Sequence, residues 1–173
     1  MTNRRSFLRG ASVLMGHAAF GQVMTAFAAA PRKATFFNDA EMATLQALVD
    51  VILPATDSPA ASAADTHYFI DLAIPACANP PAQKTFREAL KTLGKKRFAS
   101  LAPEGQVALL KARAAADEEL PYDQSFFKIL KDYTLTGYFL SEVGATQALA
   151  YERVPGGFQG DLPLETDQKA WAI

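Results

Sequence analysis

Cysteine is almost missing from this chain. Cys77 is the only one in 173 residues, so no internal disulfide can form, and neither a cysteine-held iron–sulfur cluster nor a Cys-x-x-Cys-His haem attachment is available. Histidine is nearly as scarce: His17 lies close to the amino terminus and His67 is the only other, which excludes a two-histidine metalloprotease helix. No Gly-x-Gly-x-x-Gly follows a strand-like run, so a dinucleotide fingerprint is lacking too. Charge is balanced, with 17 basic and 18 acidic residues, and the short run Lys95-Lys96-Arg97 reads as a helix exterior. Nucleic acid is therefore not an expected partner. No stretch sustains an apolar/polar alternation, and no internal period appears.

What remains is half hydrophobic, enough for one modest packed domain. The first 30 residues read as an export signal and not as part of the fold. Asn3-Arg4-Arg5-Ser6-Phe7-Leu8-Arg9 has twin-arginine spacing, with Arg4, Arg5, Phe7 and Leu8 as its determinants. The run that follows is interrupted by Gly10, Gly16, His17, Gly21 and Gln22 and is too polar and short for a comfortable membrane span. Ala26-Phe27-Ala28 offers small residues for cleavage before Ala29; an ordinary secretory signal or a retained anchor are the alternatives. Cleavage would take three of the basic residues and no acid, leaving a mildly acidic chain with His67 as its only histidine.

From residue 31 to 150 the pattern is helical. Asn38 reads as an N-cap with Glu41 reaching back and Phe37 stapling against Met42; Met42, Leu45, Leu48, Val49 and Ile52 form one stripe that Pro54 stops. Ala55 to Ala64 is a loop by composition. A second helix is predicted over Asp65 to Ile74, ended by Pro75, a third from near Pro81, a fourth from Ala102-Pro103-Glu104 and a fifth from near Asp123 or Ser125. The fold class expected is all-α: an irregular bundle of about five helices with an extended carboxy-terminal arm.

That arm, residues 151–173, loses the helical period at Pro155, Gly156, Gly157, Gly160 and Pro163, yet carries Tyr151, Val154, Phe158, Leu162, Leu164, Trp171 and Ile173. It is too apolar for a disordered tail. Ordering it costs about 1–2 kcal/mol of backbone entropy per residue, so the anchors break even only where each finds a full pocket. A larger partner supplies such pockets more readily than a small bundle does.

The search for chemistry is short. His67 with Asp71 on one helical face, and Asp65 nearby, could begin a metal site, but the further ligands are missing and a capped helix start is the simpler reading. Ser141 lacks a nucleophile elbow and a base. Asp117-Glu118-Glu119 reads as solvated surface.

Gly137-Tyr138, Ser141-Glu142-Val143-Gly144, Ala148-Leu149-Ala150-Tyr151, Val154-Pro155-Gly156 and Lys169-Ala170-Trp171, together with Leu45 to Pro54 and Phe69-Ile70-Asp71, resemble the gluconate 2-dehydrogenase subunit 3 family. The resemblance implies a non-catalytic small (gamma) subunit of an exported FAD-dependent sugar, sugar-acid or polyol dehydrogenase. FAD would sit in a larger catalytic subunit and haem c in a multihaem cytochrome c subunit, with neither cofactor in this chain. It further implies that this subunit assists maturation of the flavin subunit, carries it to the twin-arginine translocation machinery as a chaperone would, and stays bound to it in the periplasm, membrane-associated through the complex. A signal for folded cargo on a chain without a cofactor motif points the same way. Tyr138, Glu142, Tyr151, Val154, Pro155, Phe158 and Trp171 are the expected contacts with the flavin subunit. Family members can carry a cysteine in the tail that bridges to that subunit; here Phe158-Gln159-Gly160-Asp161-Leu162 has none, which leaves Cys77 either buried or free to take that role. The alternative is a free-standing periplasmic helical ligand-binding protein or enzyme.

Overall fold

Residues 35–38 show how local sequence fixes the entry to the bundle. Asn38 Oδ1 accepts from the Glu41 N–H at 2.9 Å and Glu41 Oε2 accepts from the Asn38 N–H at 3.0 Å, a complete capping box that starts helix α1, Asp39–Ile52. The computed structural model describes residue 19, residues 21–27 and 32–150, and residues 163, 166, 169 and 170. Arg4, Arg5, Phe7 and Leu8 of the expected signal, and Tyr151, Val154, Pro155, Phe158 and Trp171 of the expected docking tail, lie outside the described residues.

Four further helices follow: α2, Thr66–Cys77; α3, Pro80–Lys95; α4, Pro103–Ala116; and α5, Phe126–Phe139. Asn79 caps α3 through the Ala82 N–H at 2.9 Å, with proline at its first position, and Ser125 caps α5 through the Lys128 N–H at 3.2 Å. Short 3-10 turns, Ala61–Ala64, Phe98–Ser100 and Tyr122–Gln124, occupy the connections. The chain is all-α, a bundle in which Leu45, Leu48 and Val49 of α1, Phe69, Ile70 and Ile74 of α2, Phe86 and Leu90 of α3, and Phe126, Ile129 and Leu130 of α5 are fully buried. Helix α4 contributes only Leu110 to the fully covered core and lies on the bundle's flank, because the other residues on its inner face, Gln106, Leu109, Arg113 and Ala114, are only half-buried.

Three expectations need correction. Pro75 does not end α2, which runs on to Cys77; proline forfeits one hydrogen bond in the last turn, and Gln83 Nε2 covers the exposed end by donating to the carbonyls of Ala78, 2.9 Å, and Pro75, 3.3 Å. The loop after α1 contains the turn Ala61–Ala64. Asp117 is not surface but 2% exposed: it ion-pairs with Arg113 Nε at 2.8 Å and accepts from the Phe127 N–H at 2.9 Å, tying the end of α4 to the start of α5.

Two contacts hold the helices in register. The fully buried Asp71 carboxylate accepts from the N–H groups of Thr35, 2.6 Å, Phe36, 3.0 Å, and Phe37, 2.7 Å, and from the Thr35 hydroxyl, 2.7 Å. It thereby fixes the segment before α1 onto α2. On the far side of α2, the Phe69 ring lies directly against the backbone of Gly137 in α5, where a Cβ would overlap ring atoms, Cγ at 3.0 Å among them. Glycine inside a helix costs about 1 kcal/mol relative to alanine, and here it allows the two helices to touch. The helical segment at 21–27 also reaches the bundle: Val23 and Phe27 are 4% and 7% exposed.

Gly137→Ala is expected to lower unfolding free energy by about 1–3 kcal/mol despite the better helix propensity of alanine, since the fully buried Phe69 has little room to yield. Asp71→Ala strands three backbone donors and is expected to cost upward of about 3 kcal/mol. Urea titration of the variants checks both.

Candidate functional site

The site built from the most distinctive residues is the turn after α5. A helix end leaves carbonyls without partners, and the first non-helical residues must satisfy them without blocking the path. Ser141 does this twice over. Its hydroxyl donates to the Tyr138 carbonyl at 2.6 Å and accepts from the Gly144 N–H at 3.0 Å, while its own N–H donates to the same carbonyl at 3.0 Å. Gly144 then passes so close under that carbonyl that a Cβ would collide with it. One turn of π-helix, Gly144–Ala148, follows, closed by the Leu149 N–H on the Gly144 carbonyl at 3.1 Å.

This turn determines where the last part of the chain begins. The Ala150 N–H donates to the Ala170 carbonyl at 2.8 Å, and Lys169 Nζ donates to the Gln147 carbonyl at 2.9 Å. Lys169 and Ala170 thus lie beside the end of this turn, at Gln147 and Ala150. Pro163, Thr166, Lys169 and Ala170 are exposed.

Of the two expected partner contacts that are described, the structure separates them. Tyr138 is 2% exposed and its hydroxyl donates to the Pro59 carbonyl at 2.7 Å, so it pins the loop between α1 and α2 to the end of α5 and is not at a partner surface. Glu142 is exposed, with no ion pair among the described residues, and Leu140 beside it is 46% exposed. The residue missed from sequence is Leu140, whose place beyond the last buried turn of α5 follows only once the helix end is located. Ser141 and Gly144, three apart, did carry a legible signal: a hydroxyl followed by a glycine at the spacing of a capping turn.

The other candidates come apart. Asp71 faces residues 35–37, so it does not join His67, and among the described residues no cluster of three metal-binding side chains exists. His67 is buried, its Nδ1 has no partner among the described residues, and burial holds its pKa below the ordinary value near 6.5 against the opposing charges of Asp65 and Asp50. Burial, with Cys77 and Asp132 nearby, pushes Tyr133 up to about 12, and burial raises Tyr122 further, so both phenols stay protonated at neutral pH. Cys77 is exposed at the end of α2, with partial cover that raises its thiol pKa.

The fold and the turn define a class: a small all-α bundle that closes its last helix with a Gly-Tyr-x-x-Ser-x-x-Gly turn and then launches a glycine-punctuated segment. The chain belongs to the gluconate 2-dehydrogenase subunit 3 family, whose model matches residues 39–156, from the first residue of α1 through the turn and into the segment beyond it. Tyr151, Val154 and Pro155 fall within that match, whereas Phe158, Trp171 and residues 21–27 lie outside it. Among curated proteins and solved structures, none matches the chain. Family membership makes it an accessory subunit of a dehydrogenase complex.

Because the fold holds His67 neutral, the unfolded chain takes up a proton near pH 6.5 that the native chain refuses. Stability therefore falls as pH drops below about 6.5 and stops responding to this group once pH passes the depressed native value. His67→Asn is expected to flatten that part of the stability–pH curve, measured by urea unfolding between pH 5 and 8; an unchanged slope would assign it to other groups.

Proposed function

We propose that this chain is the non-catalytic small subunit of an exported FAD-dependent dehydrogenase complex acting on a sugar, sugar acid or polyol. The observation that carries the proposal is the family match over residues 39–156, which runs through the Gly137–Gly144 turn and into the tail sequence as far as Gly156. The catalytic subunit holds FAD, and a multihaem cytochrome c subunit takes its electrons. This chain contributes a surface. Glu142 with Leu140 forms its edge on the bundle, and Tyr151, Val154, Pro155, Phe158 and Trp171 supply the apolar anchors of the tail. Arg4 and Arg5, with Phe7 and Leu8, direct the folded pair to the twin-arginine machinery, and this chain works in the periplasm, associated with the membrane through the complex.

Affinity purification from the host's periplasmic and membrane fractions tests this, with a tag placed after the expected cleavage site. A much larger co-purifying chain with flavin absorption is the expected outcome, and Arg4→Lys with Arg5→Lys should leave both chains in the cytoplasm. A colourless chain recovered alone under gentle conditions would refute the proposal.

A further inference from the structure

The segment assigned above to the export signal is not idle where it is described. Residues 21–27 form a helix, with the Thr25 hydroxyl donating to the Gly21 carbonyl at 3.0 Å. Val23 and Phe27, four apart and hence on one face, are buried, and Met24 packs partly against the core, while Gly21, Gln22, Thr25 and Ala26 are exposed.

The docking is specific. Phe27 meets Phe69 edge-on, with ring centroids 5.8 Å apart and planes at 79°. Phe69 also lies against the backbone of Gly137, so it stands between residues 21–27 and α5. Arg32 acts as a latch. Its Nη1 donates to the Phe27 carbonyl at 2.6 Å, its guanidinium carbon stands 4.5 Å from the centre of the Phe27 ring, and its Nε pairs with Asp65 at 2.7 Å. Asp65 is the residue with φ 56 that opens α2, so the latch closes on the start of the helix carrying Phe69.

We propose that residues 21–27 are an intramolecular plug. They fill an apolar groove over Phe69 that becomes an open binding surface for an apolar helix bearing an aromatic residue once they are detached. On the subunit reading above, on which only the identity of the later occupant rests, removal of the signal uncovers the groove after export and the catalytic subunit then fills it. Until then the chain shields its own apolar surface.

The test uses the full chain and needs no partner. In the wild-type protein the amides of 21–27 should exchange at least tenfold more slowly than in a peptide of residues 17–33. In Phe27→Asp that protection should vanish and emission of an apolar fluorescent dye should rise several-fold with the far-ultraviolet circular dichroism unchanged. The 17–33 peptide, added in trans at millimolar concentration, should displace the dye from Phe27→Asp; the same peptide carrying Phe27→Asp should not. Should Phe27→Asp fail to fold, Arg32→Ala, which leaves every apolar contact in place, is expected to give the same loss of protection and gain of emission in smaller degree. Free-peptide exchange rates at 21–27 in the wild type, unchanged dye emission on release, or equal displacement by both peptides would overturn the proposal. These readouts involve no flavoprotein, so their failure is separate from a failed affinity purification.

Discussion

A carboxylate taken wholly out of water is tolerated only if its oxygens are fully occupied, and Asp71 is the place where this chain accepts that constraint. Four donors from Thr35, Phe36 and Phe37 converge on it, three of them backbone N–H groups that no helix would otherwise satisfy. The bonds fix the approach to α1, set Phe37 into the core beside Phe86, with centroids 5.8 Å apart, and leave Asn38 placed to cap the helix. Arg87 completes the clamp from α3, donating to the Phe36 carbonyl at 3.0 Å with its guanidinium 3.9 Å above the Phe36 ring. Once α1 and α3 are tied to α2, the opposite face of α2 is presented to α5. Its Phe69 needs the missing side chain of Gly137, so the register of the last helix depends on the first clamp.

From that register follows the geometry of the functional end. Tyr138 is carried inward to reach Pro59, Ser141 meets the end of α5, and Gly144 threads beneath the Tyr138 carbonyl. The residues that make the family recognisable are thus, within the described part of the chain, residues that build the turn.

Much of this was legible. The cap at Asn38, the starts of α3 and α4 at prolines, a start of α5 near Ser125, the stripe of α1 and the all-α class follow from local pattern, because capping and helical periodicity are written in neighbouring residues. What escaped depends on residues far apart in the chain. Asp117 looks like one acid in a solvated run until Arg113 and the Phe127 N–H enclose it, and Tyr138 looks like an anchor for a partner until Pro59, 79 positions away, takes its hydroxyl. Pro75 is absorbed into the last turn of α2, where its missing N–H costs one helical bond, and Gln83 of the next helix donates to the carbonyls of Pro75 and Ala78 at the helix end. Asp71, read as half of a metal pair with His67, instead faces a segment 34 to 36 residues upstream.

We propose that the bundle is complete by Ala150 and that the segment beyond it serves another protein. Thermal unfolding of the full chain against a chain ending at Ala150 tests it most directly. If the claim holds, the midpoints agree to within about 4 °C, the change expected from roughly 1 kcal/mol in a domain of this size. A fall of about 10 °C or more would show that the segment is part of the bundle's own core and contradict the account.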